Sequence, residues 1–382
     1  MNFELSQENI MVRDAIRNWV SKECPADVVS ELDEAGTFPK KLFKKLSKLG
    51  FSGMIIPEEF DGEGRNFLGA SIVVEEIAYA YPALAGCFAA SAFFGGAVFS
   101  ELADEKQKGN YLPGCAQGKI LVSLVAEEVA DDPQVELIEA MASLGNDDYV
   151  LNGKKQAVWL ADQASLFLFL AKTGEGDDEL TFFCVDAKAK GITLEPIDTL
   201  GRKGASICDV LFTDVRVSKD LVLGGADQVG DGKNQLKRIQ DIGLLYVTAA
   251  ALGLARGAFD YSLKHARQRE QFGQVIGRFP AISAKFAENS YKIEAARLIT
   301  YQAAWLADEG KPIHKEVAMA KCFAEGAAIA ASMDGLQITG GYGYTMEYDI
   351  QRYVRDAVAL FSEGVSKASL KERLGDGLGL AV

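Results

Sequence analysis

Histidine is nearly missing from this sequence. Two imidazoles in 382 residues, His265 and His314, are too few for a histidine-rich metal site or a histidine relay. Cysteine pairs at short spacing are missing as well. The six cysteines (Cys24, Cys87, Cys115, Cys184, Cys208, Cys322) are scattered and form no CxxC. That excludes a zinc ribbon or a disulfide framework and reads as buried thiols in a reducing compartment. Positive charge is in deficit, with 40 Lys and Arg against 54 Asp and Glu and a net charge of −14. Nucleic acid or an anionic membrane surface would repel such a chain, so neither is expected as its main partner. The most apolar helical stretch, "IGLLYVTAAALGLA" from 242 to 255, falls short of the roughly 20 residues a span needs and reads as a helix buried among others. The N-terminal "MNFELSQENIMVRDAIRNWV" has no apolar signal-peptide core. A cytoplasmic protein is the expectation. What remains is 48% apolar and 25% charged, the profile of a globular protein with a large core and two or three packed units.

Three regions follow one another. Residues 1–120 read as helices: "SQENIMVRDAIRNWVSKE" starts on a serine N-cap at Ser6, and "FPKKLFKKLSKLG" closes on Gly50. Residues 121–230 switch to short β-branched and aromatic runs such as "SLFLFLAKT", "LTFFCVDA" and "CDVLFTDVRVS", separated by "GEGDD" and "AKAKG". This predicts a small β-barrel or sandwich of six or more strands. Residues 231–382 return to long helices joined by short links, one of them opened by Pro280 and stopped at Gly310. The predicted class is α+β: a helical domain, a small β domain and an antiparallel four-helix bundle.

Two stretches could carry chemistry. "QITGGYGYT" (337–345) is a helix C-cap followed by a turn, or a place where bare backbone approaches a phosphate. It is neither a Walker A loop nor a GxGxxG after a strand. "RQREQFGQVIGRF" sets Arg267 and Arg269 before Phe272 and Gly273 at a helix end, where cations either complement the helix dipole or grip a diphosphate. Local physics leaves both pairs of alternatives open.

These segments, with "RYVRDA" and a nearby "EG" in the same order and spacing, resemble the acyl-CoA dehydrogenase family. "YVLNGKK" (149–155), "LGRKGASICDVLFTDVRVSKDLVLG" (200–224) and "AALGLARGAFDYSLKHARQREQFG" extend the resemblance over nearly the whole chain. The resemblance implies an FAD held between the β domain and the C-terminal bundle. It also implies an acyl-CoA thioester as substrate, a homotetramer or homodimer, and an electron-transferring flavoprotein as acceptor. On matching positions Arg269 contacts the diphosphate and Phe272 packs beside the cofactor. Gln337, Gly340 and Gly341 present side chain and backbone to a neighbour's FAD, and Trp159 lies at the flavin. Glu363 is the expected base that takes the α-proton. Gly364 beside it and Asp241 on the first bundle helix are the candidate substrate-side positions.

The sequence also departs from the family's pattern. Without a gap Gly364 falls on the base position, whereas a one-residue deletion puts Glu363 there. The alternative base position of some relatives is Gly243, beside Leu244, with Asp241 two residues away. The usual "LTEPxxGSD" reads "LVAEEVADD" (124–132), which puts Ala126 at the usual threonine. Trp159 stands at a second threonine, Pro280 replaces a common glutamine and Val365 a threonine. Three readings are therefore carried: a dehydrogenase using Glu363, a member that binds FAD or CoA without dehydrogenation, and a cofactor-free scaffold. The acyl pocket is expected around residues 83–100 and 236–248. "CFAASAFFGGAVF" offers no arginine there, so that stretch gives no support to a dicarboxylyl substrate.

Overall fold

The computed structural model describes residues 4–128, 138–145, 148–176 and 178–380; positions 129–132 of "LVAEEVADD" lie outside them. The N-terminal helices are α1 (Gln7–Glu23), α2 (Ala26–Ala35), α3 (Lys40–Ser47), α4 (Phe67–Ala80), α5 (Pro82–Ser91), α6 (Val98–Leu102) and α7 (Glu105–Ala116). The Ser6 hydroxyl accepts from the Asn9 N–H at 3.1 Å and caps α1 as the sequence predicts. Between α5 and α6 the chain widens into one π-helical turn, Ala92–Ala97, which turns Phe94 toward a cavity described below.

The middle region forms β1 (Val122–Val125), β2 (Met141–Leu144), β3 (Asp148–Trp159), β4 (Leu166–Lys172), β5 (Leu180–Asp186), β6 (Ile192–Ile197) and β7 (Ile207–Ser218). They pair in the order β1-β4-β2-β3-β7-β6, with β5 added antiparallel to β4. The core beneath the sheet is aromatic and β-branched, including Phe167, Phe169, Phe183, Val210 and Phe212. β4 and β5 are buried along nearly their whole length, which explains their continuous apolar runs.

The bundle consists of α8 (Gly232–Gln268), α9 (Pro280–Asp308), α10 (His314–Thr339) and α11 (Ile350–Ser362), followed by α12 (Lys367–Gly377). A two-stranded hairpin, β8 (Glu270–Gln271) and β9 (Gln274–Val275), links α8 to α9. The two most apolar helical stretches, Pro82–Leu102 and Gly232–Gln268, are buried core helices. α4 lies against α8 at very short range. A Cβ on Gly253 would meet the Glu75 carbonyl at 2.1 Å, so only glycine permits the crossing. Arg256 locks the same contact by ion pairs to Glu75 at 2.6 Å and Glu76 at 2.9 Å.

Candidate active site

Where the sheet edge meets the bundle, a cavity of about 690 Å³ opens. Its walls are β1 and the end of β3, the loop before β7, the middle of α8, and the loop after α11. That volume lies inside the ~300–1,000 Å³ range of small-molecule sites.

β3 delivers its last residue by a bulge. The β3–β7 register slips between Lys155 and Val158, which leaves Gln156 and Ala157 unmatched and turns the strand end into the cavity. Ala157 takes φ +53 and Leu160 φ +52, both left-handed, on either side of Trp159. A third non-glycine residue with φ +52, Arg202, stands on the opposite loop. Each such residue costs of order 1–3 kcal/mol, and strain of this kind gathers where a site demands it.

Trp159 stacks on Tyr246 of α8, with ring centroids 5.8 Å apart and planes 22° from parallel. The Arg202 guanidinium lies 4.8 Å from the Trp159 ring centroid and 5.9 Å from that of Tyr246. Its two terminal nitrogens donate to the Glu363 carboxylate and the Tyr246 hydroxyl. Arg202 is only 5% exposed, so the ion pair with Glu363 is largely desolvated. Burial pushes the Tyr246 hydroxyl above the ordinary tyrosine range despite the guanidinium beside it.

Glu363 is the C-cap of α11, with an extended backbone at ψ 140, and the next residue, Gly364, takes φ +76. Lys321 of α10 fixes this turn from beneath. Its ammonium, on a side chain 1% exposed, donates to the Glu363 carbonyl at 2.5 Å and the Val365 carbonyl at 3.2 Å, and pairs with Glu325 at 2.7 Å. Behind the far wall Lys155, wholly buried, pairs with Glu128 at 2.5 Å and donates to the Ala126 carbonyl at 3.1 Å. Desolvation lowers the Lys155 ammonium to about 8, against the opposing pull of Glu128. Glu128 also accepts the backbone N–H groups of Glu139 and Ala140, so its carboxylate is structural.

The structure gathers Trp159, Glu363 and Gly364 in the cavity, with Gly243 and Leu244 opposite. It does not gather Asp241, which lies off the cavity and binds His314 Nδ1 at 2.8 Å and Arg373 at 3.2 Å. Arg269, Phe272, Gln337, Gly340 and Gly341 form a separate exposed surface at the hairpin and the end of α10. There Arg269 lies 5.8 Å from the Tyr342 ring centroid and Phe272 is 93% exposed at φ +53. A Cβ on Gly340 or Gly341 would touch nothing, so that backbone faces open space. Sequence reasoning missed Arg202, Tyr246 and Lys321. The available signals were an arginine inside the turn "LGRKG" and a lysine inside the alanine-rich "AMAKCFAEGAAIA".

A helical unit, a β unit and a helical bundle around one cavity, with a half-buried glutamate entering from the loop after α11, define a class of three-part enzymes. Sequence profiles described as acyl-CoA dehydrogenase N-terminal, middle and C-terminal domains match residues 6–119, 128–215 and 230–367 in that order. The chain is 34% identical to the probable acyl-CoA dehydrogenase YngJ of Bacillus subtilis over 372 residues, covering 96% of this chain and 97% of that protein. It is 31% identical to the caffeyl-CoA reductase–Etf complex subunit CarC of Acetobacterium woodii over 366 residues, 95% and 96% of the two chains. The solved structure of butyryl-CoA dehydrogenase from Megasphaera elsdenii superposes with a TM-score of 0.94 at 28% identity, covering 99% of this chain and all of that one. This chain belongs to the acyl-CoA dehydrogenase family.

Proposed function

We propose that the chain is an FAD-dependent acyl-CoA dehydrogenase in which Glu363 takes the α-proton of an acyl-CoA thioester. The observation that carries this reading is the placement of Glu363. Three glutamates line the cavity, and Glu128 is consumed by Lys155 and two backbone amides, while Glu127 lies on the sheet edge. Glu363 alone comes from the loop facing α8, at the end where Gly243 offers no carboxylate.

The cavity suits a flavin ring. Ser123 Oγ and Trp159 Nε1, on its sheet-side wall, are buried polar atoms without a partner among the described residues. A heterocycle bearing ring nitrogens and carbonyls would satisfy both, whereas a cofactor-free scaffold leaves them unmatched at a cost of about 1–3 kcal/mol each. Trp159 would hold the ring side of FAD, and Arg269 and Phe272 its diphosphate side. Gln337, Gly340 and Gly341 would meet the FAD of a neighbouring subunit. FAD supplies the acceptor for the hydride that leaves the β-carbon as the α-proton leaves. Glu363 receives that proton on a carboxylate oxygen, and Lys321 holds its backbone so that the side chain keeps its aim. The stacked Trp159 and Tyr246 rings and the apolar walls keep water from the reacting carbons.

The exposed Phe272, Tyr344 and Met346 lie by the Gly340–Gly341 turn and favour a homotetramer, or at least a homodimer, that covers them. An electron-transferring flavoprotein is the proposed acceptor, by analogy with the complex named for the Acetobacterium woodii relative. The net charge and the buried thiols favour the cytoplasm.

The test is the visible spectrum of the purified protein, then anaerobic titration with a panel of acyl-CoAs, repeated for Glu363→Gln. The wild type is expected to be yellow and to bleach with at least one thioester. The variant should keep its yellow colour and bleach about 10²–10⁴-fold more slowly, the usual contribution of a positioned base. Equal bleaching by the variant would remove Glu363 from the reaction.

A further inference from the structure

We propose that Arg202 selects acyl-CoA thioesters whose acyl chain ends in a carboxylate, and that this carboxylate takes the place of Glu363 on the guanidinium. The inference rests on the reading of Glu363 as the base.

A guanidinium that is 5% exposed needs a counter-charge, because burying an unpaired ion costs several kcal/mol. In this structure Glu363 supplies that counter-charge. Asp356 accepts the backbone N–H of Arg202 at 2.6 Å and so serves the main chain of that loop. Glu127 and Glu128 stand on the opposite wall, and Glu128 is occupied by Lys155. The guanidinium also lies against the Trp159 and Tyr246 rings and the α5 backbone at Gly86, with the neutral Cys87 thiol nearby.

Glu363 cannot serve Arg202 and a carbon acid together. Its carboxylate oxygen is taken up by the guanidinium N–H instead of facing the α-carbon. Once it accepts a proton its charge is gone, and Arg202 is left buried with no anion. An acyl chain with a methyl terminus does nothing to relieve that conflict. A chain ending in a carboxylate relieves it twice: it replaces the counter-charge and it frees Glu363 for the α-carbon.

Arg202 is shaped for the exchange. The terminal nitrogen bonded to Glu363 would be released, and it shares the outer edge of the guanidinium with the second terminal nitrogen, which gives one N–H to the Tyr246 hydroxyl and keeps another. A planar fork with donors to offer binds a carboxylate in two parallel hydrogen bonds, which a lysine ammonium cannot reproduce. Stacking on Trp159 and the bond to the Tyr246 hydroxyl hold the fork in one plane before any ligand arrives. The arginine comes from the loop before β7, not from the 83–100 stretch where the sequence offers none.

The experiment uses the FAD-loaded wild type, Arg202→Gln and Arg202→Lys. Straight-chain acyl-CoAs are supplied in matched pairs, one methyl-terminated and one ω-carboxylated. The anaerobic bleaching rate gives kcat/KM, and perturbation of the visible flavin band gives the dissociation constant. The wild type is expected to prefer the ω-carboxyl form by about 100-fold at its best chain length, less than the roughly 10⁴–10⁵-fold of a site whose polar groups are left wholly unpaired, because Glu363 still pairs Arg202 when the chain ends in methyl. Arg202→Gln should bring that ratio below about threefold, and Arg202→Lys should keep its direction at roughly a tenth of its size. A wild type that prefers the methyl forms overturns the proposal, as does an Arg202→Gln variant that slows both forms equally. If no thioester bleaches the flavin, the dehydrogenase reading fails. The dissociation constants then decide the role of Arg202 on their own: a carboxyl preference lost in Arg202→Gln supports it, and no preference refutes it.

Discussion

Replacing Gly86 with alanine puts one methyl group against the ring that closes the site. Gly86 lies inside α5, and a Cβ built there sits 2.0 Å from Trp159 Cζ2, 2.1 Å from its Cη2 and 2.5 Å from a terminal nitrogen of Arg202. Ordinary contact begins near 3.4 Å, so the indole must retreat by about 1.4 Å (3.4 − 2.0). The move has two opposing terms. Alanine for glycine inside a helix gains about 1 kcal/mol of propensity. Overpacking a buried aromatic stack costs about 1–3 kcal/mol. The net expectation is a loss of roughly 0–2 kcal/mol. Gly109, on an exposed turn of α7 with nothing within 4 Å of its added Cβ, isolates the propensity term. Gly109→Ala should therefore stabilise by up to about 1 kcal/mol. Urea unfolding of the two variants gives the difference, expected at about 1–3 kcal/mol in favour of Gly109→Ala. A displaced Trp159 also leaves its stack on Tyr246, which changes the tryptophan emission. With a ~1 Å misplacement able to cost on the order of 10²-fold, kcat should fall while FAD is retained. Gly86→Ala as stable as Gly109→Ala, with unchanged emission and kcat, would refute this description of the site's tight wall.

Lys321→Met should destabilise by about 3–5 kcal/mol in urea unfolding, because it strands the buried Glu325 carboxylate and frees two carbonyls of the Glu363 loop. Adding Glu325→Leu should recover much of the stability but not kcat, since the loop stays unanchored; full recovery of both would show that Lys321 does not position Glu363. Burial, acting against the Arg202 backbone N–H, pushes the Asp356 carboxyl up to about 6. A raised carboxyl pKa stabilises the fold below the unfolded value near 4 and loses that contribution as pH rises through about 6. Relative to Asp356→Asn, wild-type stability should then fall by up to about 3 kcal/mol between pH 4 and 6, at about 1.4 kcal/mol per pH unit. Parallel stability curves for the two proteins would contradict the burial argument.

The order of helices, strands and bundle was legible because each region declares its period. "SLFLFLAKT" is apolar at every step from Leu166 to Ala171 and becomes β4, buried on both faces, while the long proline-free run after 231 becomes α8. The cavity was legible only in part, because its residues meet across the chain: Trp159, Arg202, Tyr246 and Glu363 come from four separate segments. In "LGRKG" the arginine reads as a turn residue, and no local pattern tells that its side chain turns inward. Asp241 illustrates the opposite failure. It is two residues from Gly243 in sequence, but residues two apart on a helix face different ways, so Asp241 turns toward His314 and Arg373 while Gly243 lines the cavity. The backbone at Gly364 bears on the ungapped register. At φ +76 a side-chain-bearing residue would be strained, by about 1–2 kcal/mol. The turn it makes is the one whose flanking carbonyls, Glu363 and Val365, both reach Lys321. Glycine at 364 is thus favoured by the turn that carries its neighbour, and it is not by itself a sign that the proposed base has been lost.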